Sequence, residues 1–376
     1  MTLLITADLT VIALVTCLAL ATTWLTPPTL PFGVRVTAAR VADPAVLAQR
    51  RQFRHGTIAA AALAGTVSIP LLLGSAGSAV IGSTATALGV VDLLLYHRAY
   101  RQVRAAKLSG GWRSEHRQGI TVDTSFRTDP IRLPWHWLAP PTVIAFVSAT
   151  IGWWRYDSLG TTLPQFQGYG LDAAERQPTS YLNAFEPVLL QTGITLAVPL
   201  LVLLVLRSRP DLDAARPVGS ARRYRVYLGG VARLLLLGAA CLNLGLLVTA
   251  LQLWGVVATS TAWRVGTYLP LAALVVILLI WQHRVGHAGH RLPAQPGEPE
   301  EDSGVVQRDD DRHWMLAGTV YLNRRDPAVF VHTRIGTRWT LNLGHPIAWL
   351  VVTAVLTVGL LAAVGVIDLP RRETLN

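Results

Sequence analysis

Three histidines, His283, His287 and His290, stand at i, i+4 and i+7. On a continuous helix that spacing puts three imidazoles on one face, a set zinc could use. No Asp or Glu lies between them to act as a base, and Arg284 and Arg291 beside them repel a cation. A polar helix end without metal is expected. The run Asp309-Asp310-Asp311 lacks the following ligand spacing of a calcium loop and is expected to begin a small folded module. Ionisable groups inside apolar runs are few: Asp8, Asp92 and Arg233. Such groups are commonly functional, and Asp92, with Arg98 and Arg101 close in sequence, is the candidate among them. No Gly-rich phosphate loop, G-x-S-x-G elbow or cysteine–histidine framework is present. The expectation is therefore no enzyme, no cofactor and no metal.

The elements around these residues are apolar. Of 376 residues 51% are hydrophobic and 15% charged, and the mean hydropathy is +0.40. A soluble domain carries about 25% charged residues. Cys17 and Cys241 both fall in apolar runs and read as small buried hydrophobes. A hydrocarbon core about 30 Å thick needs about 20 helical residues. Eight runs are expected to span: 3–25, 57–73, 76–96, 135–154, 187–206, 228–253, 268–281 and 347–366. The second and third are separated only by Gly74 and Ser75, and a re-entrant hairpin is the alternative there. Residues 1–7 hold no Lys or Arg, so the first run reads as a retained span rather than a signal peptide.

Charge sets the orientation. Loops 26–56, 97–134, 207–227 and 284–346 hold 27 of the 33 basic residues, and the alternate loops with the tail 367–376 hold 5. This partition fits eight spans with both termini outside. The net charge of +11 thus reads as topology, and no nucleic-acid partner is expected. Lys107 is the only lysine. Trp24, Trp135, Trp137, Trp153, Trp154, Trp254, Trp263, Trp281 and Trp349 fall near predicted span ends, where indoles favour the headgroup level.

The expected fold is an all-α polytopic membrane protein of about eight helices, with a small β-rich cytosolic module before the last helix. Residues 1–292 hold seven helices, basic cytosolic loops and the outer loop 155–186. Residues 293–308 form an acidic Pro/Gly linker. The module spans 309–346, and 347–376 hold the last helix and outer tail. Within the module, 319–323, 328–334 and 337–343 are β-branched and aromatic, with turns at 325–327 and 335–336. Trp314, Tyr321, Phe330 and Trp339 are expected to form its aromatic core.

Three stretches resemble one group of uncharacterised bacterial multi-pass membrane proteins. The first is Leu30-Pro31-Phe32-Gly33-Val34-Arg35-Val36. The second runs from Tyr156 to Asp172, including Leu163-Pro164-Gln165-Phe166 and Gly170. The third is Asp311-Arg312-His313-Trp314, then Tyr321, Asn323, Asp326-Pro327, Phe330-Val331, Arg334, Gly336, Trp339 to Asn342 and Pro346 to Leu350. These proteins join two domains of unknown function. The second stretch is similar to a module of the immunity and signalling proteins that protect bacteria against the sporulation-delaying toxin. Gln165-Phe166-Gln167 departs from the His-Phe-Asn-like core of that module, and Arg324-Arg325 replaces the Pro-Asp usual before Asp-Pro.

The resemblance and topology together imply a regulatory or immunity-like protein of the bacterial cytoplasmic membrane. The aromatic-rich loop 155–186 is the expected surface for a protein or peptide partner, and the lipid bilayer is the surrounding partner. A transporter or channel for a small solute is the alternative. Candidate functional residues are Asp92, Phe166, Gly170, Trp314, Tyr321, Asn323, Asp326, Trp339 and Asn342. Leu30-Pro31-Phe32 and Leu163-Pro164-Gln165-Phe166 would lie on opposite membrane faces, three spans apart. That relation would make spans one to three and four to six inverted repeats.

Overall fold

The apolar runs fold as helices that continue beyond the apolar residues. The computed structural model describes residues 2–74, 79–112, 117–119, 121, 123–210, 212–299, 303–335 and 339–364. Ala76 at the expected start of the third span, Gly336 of the expected turn, and the tail 367–376 lie outside the described residues. The helices are α1 Thr2–Leu25, α2 Pro44–Leu73, α3 Ala79–Ser109, the short α4 Ser125–Thr128, α5 Ala139–Arg155, α6 Tyr181–Leu206, α7 Pro217–Leu253, α8 Thr261–Val285 and α9 Pro346–Ala363. Helices α2, α3 and α7 run about three to four turns past their apolar cores. Arginine and lysine favour helix nearly as much as leucine, so hydropathy marks only the apolar part.

Among the described residues, six helices are long and apolar enough to cross a membrane: α1, α2, α3, α6, α7 and α8. Helix α5 has 17 residues and follows a 3-10 turn at Trp135–Leu138. Helix α9 is a shorter apolar helix. Helix α8 stops at Val285, so the expected face of three histidines does not continue to His287 and His290. Among the described residues no group of His, Cys, Asp and Glu is arranged to hold a metal.

The chain forms two compact units, Met1–Asp123 with Arg209–Tyr224 and Val285–Ala348, and Thr124–Ser208 with Arg225–Arg284 and Trp349–Asn376. In the first, α1, α2 and α3 all pack against one another. Asp43 caps α2, its carboxylate accepting from Ala45 N at 3.0 Å. Residues 31–33 form a 3-10 turn that buries Phe32 between Phe53 and Tyr96, with ring centroids 5.5 and 5.3 Å away. Val34, Val46 and Val103 complete this core at the ends of the helices.

The same unit holds the small strands. β1 Gln118–Gly119 pairs in parallel with β4 Val306–Gln307. β5 Trp314–Met315 pairs antiparallel with β6 Val320–Tyr321, and β7 Phe330–His332 pairs with β8 Trp339–Leu341. A single bridge from Tyr321 to Asn342 joins the two ribbons. The apolar cluster inside is Trp314, Tyr321 and Val331, with Ala328 packed against it. Strand alternation sends Val331 inward. The expected core thus keeps Trp314 and Tyr321, while Phe330 and Trp339 stay half-buried and Trp339 packs on His332 at 4.3 Å.

In the second unit α5 packs on α6. The buried Asn243 of α7 donates to Pro141 O at 3.0 Å and Thr195 Oγ1 at 2.9 Å, tying α5, α6 and α7 with one amide. The remaining element is a hairpin, β2 Thr162–Gln167 and β3 Gly170–Pro178, with Gln167 paired to Gly170. Its two-residue turn begins at Gly168, φ +63, a value glycine adopts without strain.

The two Leu-Pro stretches therefore fold differently. Leu30-Pro31-Phe32 is a buried turn and Leu163-Pro164-Gln165-Phe166 is a strand. Helices α1 to α3 pack mutually, whereas α7 joins α5 and α6 through side-chain hydrogen bonds. The inverted-repeat expectation is not carried by the structure. Among the boundary tryptophans, Trp135, Trp153 and Trp154 are exposed. Trp254 is not an anchor: it is 1% exposed and donates Nε1–H to Ala184 O at 2.8 Å.

Candidate functional site

The first unit contains a buried cluster of charges built from three separate stretches of chain. Lys107, at the end of α3, has its ammonium 2.6 Å from Asp311 Oδ2, 3.0 Å from Asp309 Oδ2 and 2.6 Å from Arg35 O. All three of its donors are thus used. Arg334 donates to Asp310, to Asp311 and, at 2.9 Å, to Gly33 O. Its guanidinium also lies over the Trp314 ring, 5.2 Å from the centroid. Arg35 completes the set, with Nε 3.5 Å from Asp310 Oδ1 and its backbone N–H 3.1 Å from Asp311 Oδ1.

The cluster sets three carboxylates against three cations, so it is neutral as a whole. Lys107, Asp311 and Arg334 expose 3–4% of their side chains. Burial is the largest single influence on the Asp310 and Asp311 carboxyls and pushes both up. Arg334, together with Arg35 at Asp310 and Lys107 at Asp311 and the hydrogen bonds they receive, outweighs it and holds both below the usual carboxylate range. Buried charges are tolerated only when paired and hydrogen-bonded, which is the arrangement here. The result is a latch that fastens strands β5 to β8 to the turn after α1 and to the end of α3.

Backbone fit makes the latch possible. A Cβ on Gly33, φ +79, would lie 2.3 Å from Ala317 O, and one on Gly318 would lie 2.8 Å from Arg334 Cβ. The two glycines let the chains touch, so Gly33 O can reach Arg334. Leu30 to Val36 therefore acts as the seat for the module, a relation that sequence separation hides.

A cavity of about 240 Å³ opens beside the latch. Arg35, Lys107 and Asp309 form one side, and Trp112, Arg223 and His290 lie along the rest. Nearby, His332 is buried against Tyr224, His287 and Trp339, with centroid distances of 5.5, 5.0 and 4.3 Å. Burial, then the neighbouring His287, holds the His332 imidazole well below its ordinary pKa. Sequence reasoning missed this histidine because it sits in a short strand, where neither its spacing nor its neighbours mark it out.

Four of the sequence candidates meet in one network inside the module. Tyr321 Oη donates to Asp326 Oδ2 at 2.9 Å and accepts from Asn323 Nδ2 at 3.0 Å. Asn342, fully buried, donates to Asn323 O, Asp326 O and Ala328 O at 2.9–3.1 Å, and its Oδ1 accepts from Asn323 N and Gly344 N. Arg209 pairs with Asp326 from outside. Burial first, and Asp326 beside it, push the Tyr321 hydroxyl up to about 12. These polar groups spend their hydrogen bonds on the turns of the module itself. Trp314 joins the latch, donating Nε1–H to Asp310 Oδ2 at 3.1 Å, and Trp339 joins the His332 cluster.

The other candidates stand apart. Asp92 is 7% exposed on α3, beside the buried Thr57 of α2, and neither side chain has a hydrogen bond of good geometry. Asp8 of α1 is also buried and accepts from Ser68 Oγ at 2.5 Å. In the second unit Phe166 is buried on β2 and Gly170 starts β3. The aromatics of loop 155–186 largely pack on helices. Tyr156 stacks on Tyr181 at 4.1 Å, and Tyr169, at the hairpin tip, donates to Leu242 O at 2.6 Å. What faces outward is the middle of β3, residues 173–176.

The signal that could have revealed the latch was compositional. A chain of 33 basic residues keeps one lysine, and that lysine is the buried one. Compared with known families, residues 324–349 match the model of a family of unknown function, DUF5808. That stretch covers Asp326, β7, β8, Asn342 and the start of α9. No curated protein and no solved structure matches the chain.

Proposed function

We propose that the protein is a non-enzymatic regulatory or immunity-like protein of the bacterial cytoplasmic membrane, with eight spans, both termini outside and the module 309–346 in the cytosol. The uneven distribution of basic residues supports the orientation. Helices α5 and α9 supply the seventh and eighth spans; at a 1.5 Å rise, the 17 residues of α5 cover about 26 Å, enough with the 3-10 turn before it. The module, including the part similar to DUF5808, is the inner output element.

The outer element is the hairpin β2–β3, and its geometry carries the reading. Leu163 and Tyr169 fix it to the helices, while residues 173–176 of β3 face solvent, with 173–175 bulged out of register with β2 and held by the Asp172 carboxylate, which accepts from Ala174 N and Glu175 N. An anchored, exposed bulge suits contact with a protein or peptide partner. The partner surface is thus this bulge of β3 rather than the loop aromatics. In-cell photo-crosslinking from position 174 tests it. The expected result is one discrete protein or peptide adduct that a crosslinker at buried position 163 does not give. Labelling of lipid alone from position 174 would overturn the reading.

A transporter or channel is the second reading, favoured by the buried carboxylates Asp8 and Asp92 among α1, α2 and α3. It predicts proton or cation flux in proteoliposomes that Asp92→Asn abolishes.

A further inference from the structure

We propose that the groove between the end of α1 and the start of α2 is a binding site for an anionic phospholipid. The groove encloses about 750 Å³. Arg50, Arg51 and Arg54 of α2 and Arg291 give it four guanidiniums, and among the described residues no Asp or Glu lines it. Arg50 and Arg54 stand at i and i+4, where like charges repel along a helix. Arg50 donates to Pro28 O at 3.3 Å. Arg51 and Arg54 are exposed and have no hydrogen bond or ion pair to any described residue. Such a wall is stabilised by an anion placed between its members.

The rest of the groove says which anion. Its floor is apolar, made by Leu20 of α1 and Leu47 of α2. From there the exposed Cys17, Ala13 and Leu9 continue the same face of α1, a path for an acyl chain. Trp24 closes the α1 end half-exposed, and Arg291 is fixed against it with its guanidinium 3.7 Å from the ring centroid. A tryptophan and arginines at the end of an apolar helix define the headgroup level. A cationic rim over an apolar floor at that level fits a phosphate-bearing amphiphile better than a soluble phosphate. Basic pockets between spanning helices bind lipid headgroups in this way.

Native mass spectrometry of the full chain, with equal phosphatidylglycerol and phosphatidylcholine of matched acyl chains, tests the site. A retained phosphatidylglycerol adduct is expected. In Arg51→Gln/Arg54→Gln its affinity falls by about thirtyfold, the loss expected for two interfacial arginines. Arg98→Gln/Arg101→Gln, which changes exposed arginines outside the groove, leaves the adduct unchanged. Excess inorganic phosphate leaves it unchanged as well. Equal loss in both double variants would mean general charge attraction and overturn the site. Displacement by inorganic phosphate would mean a soluble anion site and overturn the lipid assignment.

Discussion

The module 309–346 and the hairpin 162–178 are both small β elements fixed to apolar helices, and they are held by opposite chemistry. The module is fastened by three carboxylates and three cations, with Lys107, Asp311 and Arg334 removed from water and Asp310 and Arg35 partly exposed. The hairpin is fastened by apolar burial, with Leu163 in a cluster around Trp254 and Tyr169 inserted at its tip. Neither is stable alone, since isolated two-stranded ribbons are marginal. The contrast teaches that a charge run in a loop can be a buried fastener, and that loop aromatics can be packing rather than a ligand surface.

Opposite chemistry predicts opposite sensitivities. Asp311→Ala leaves Lys107 with Asp309 alone and Arg334 with Asp310 alone, so the buried cluster is one negative charge short. Breaking a buried charge network from one side costs about 3–5 kcal/mol, enough to free the module, and pulse proteolysis should show cleavage near Arg324 and Arg325 with the hairpin still protected. Trp254→Ala reverses the pattern. Loss of a buried indole costs about 3–5 kcal/mol, and here the same digestion should attack 162–178 and spare the module. If either variant loosened both regions equally, the division would fail.

A smaller effect separates the latch from the internal frame of the module. Asn342→Ala removes one side chain that serves five backbone groups. Leaving buried groups unsatisfied costs about 1–3 kcal/mol, so thermal scanning should show a lower midpoint while Lys107 stays protected from acylation. Acylation of Lys107 in this variant would place frame and latch in one cooperative element.

The mildest perturbation is pH. His332 has a lowered pKa in the folded module, so the released module binds the proton more readily. Stability is then level above about pH 6.5 and falls by about 1.4 kcal/mol per pH unit below it, until the folded pKa is reached. Asp310 and Asp311, also lowered, add a second loss only below the ordinary carboxylate range near pH 4. The hairpin should show no step near pH 6. Module stability that stays flat from pH 7.5 to 5 would show that His332 is not buried as described.

Much of this architecture was legible in the chain. The apolar runs predicted where helices form, and the strands at 319–323, 328–334 and 337–343 appear as β6, β7 and β8. Helix ends were not legible, because Arg50, Arg54 and Lys107 favour helix without being apolar. The latch was hidden for a different reason. It joins Arg35, Lys107 and Asp309 to Asp311 across more than two hundred residues, and neither hydropathy nor spacing records such a distance. The motif residues Tyr321, Asn323, Asp326 and Asn342 were visible as a group, but their role as an internal frame needed coordinates.

Hydrogen–deuterium exchange of the full chain in nanodiscs, comparing the parent with Lys107→Met, tests the charge-held module most directly. The account predicts faster exchange across 314–345 and at 33–36, with 162–178 unchanged. Unchanged exchange across 314–345 would contradict it.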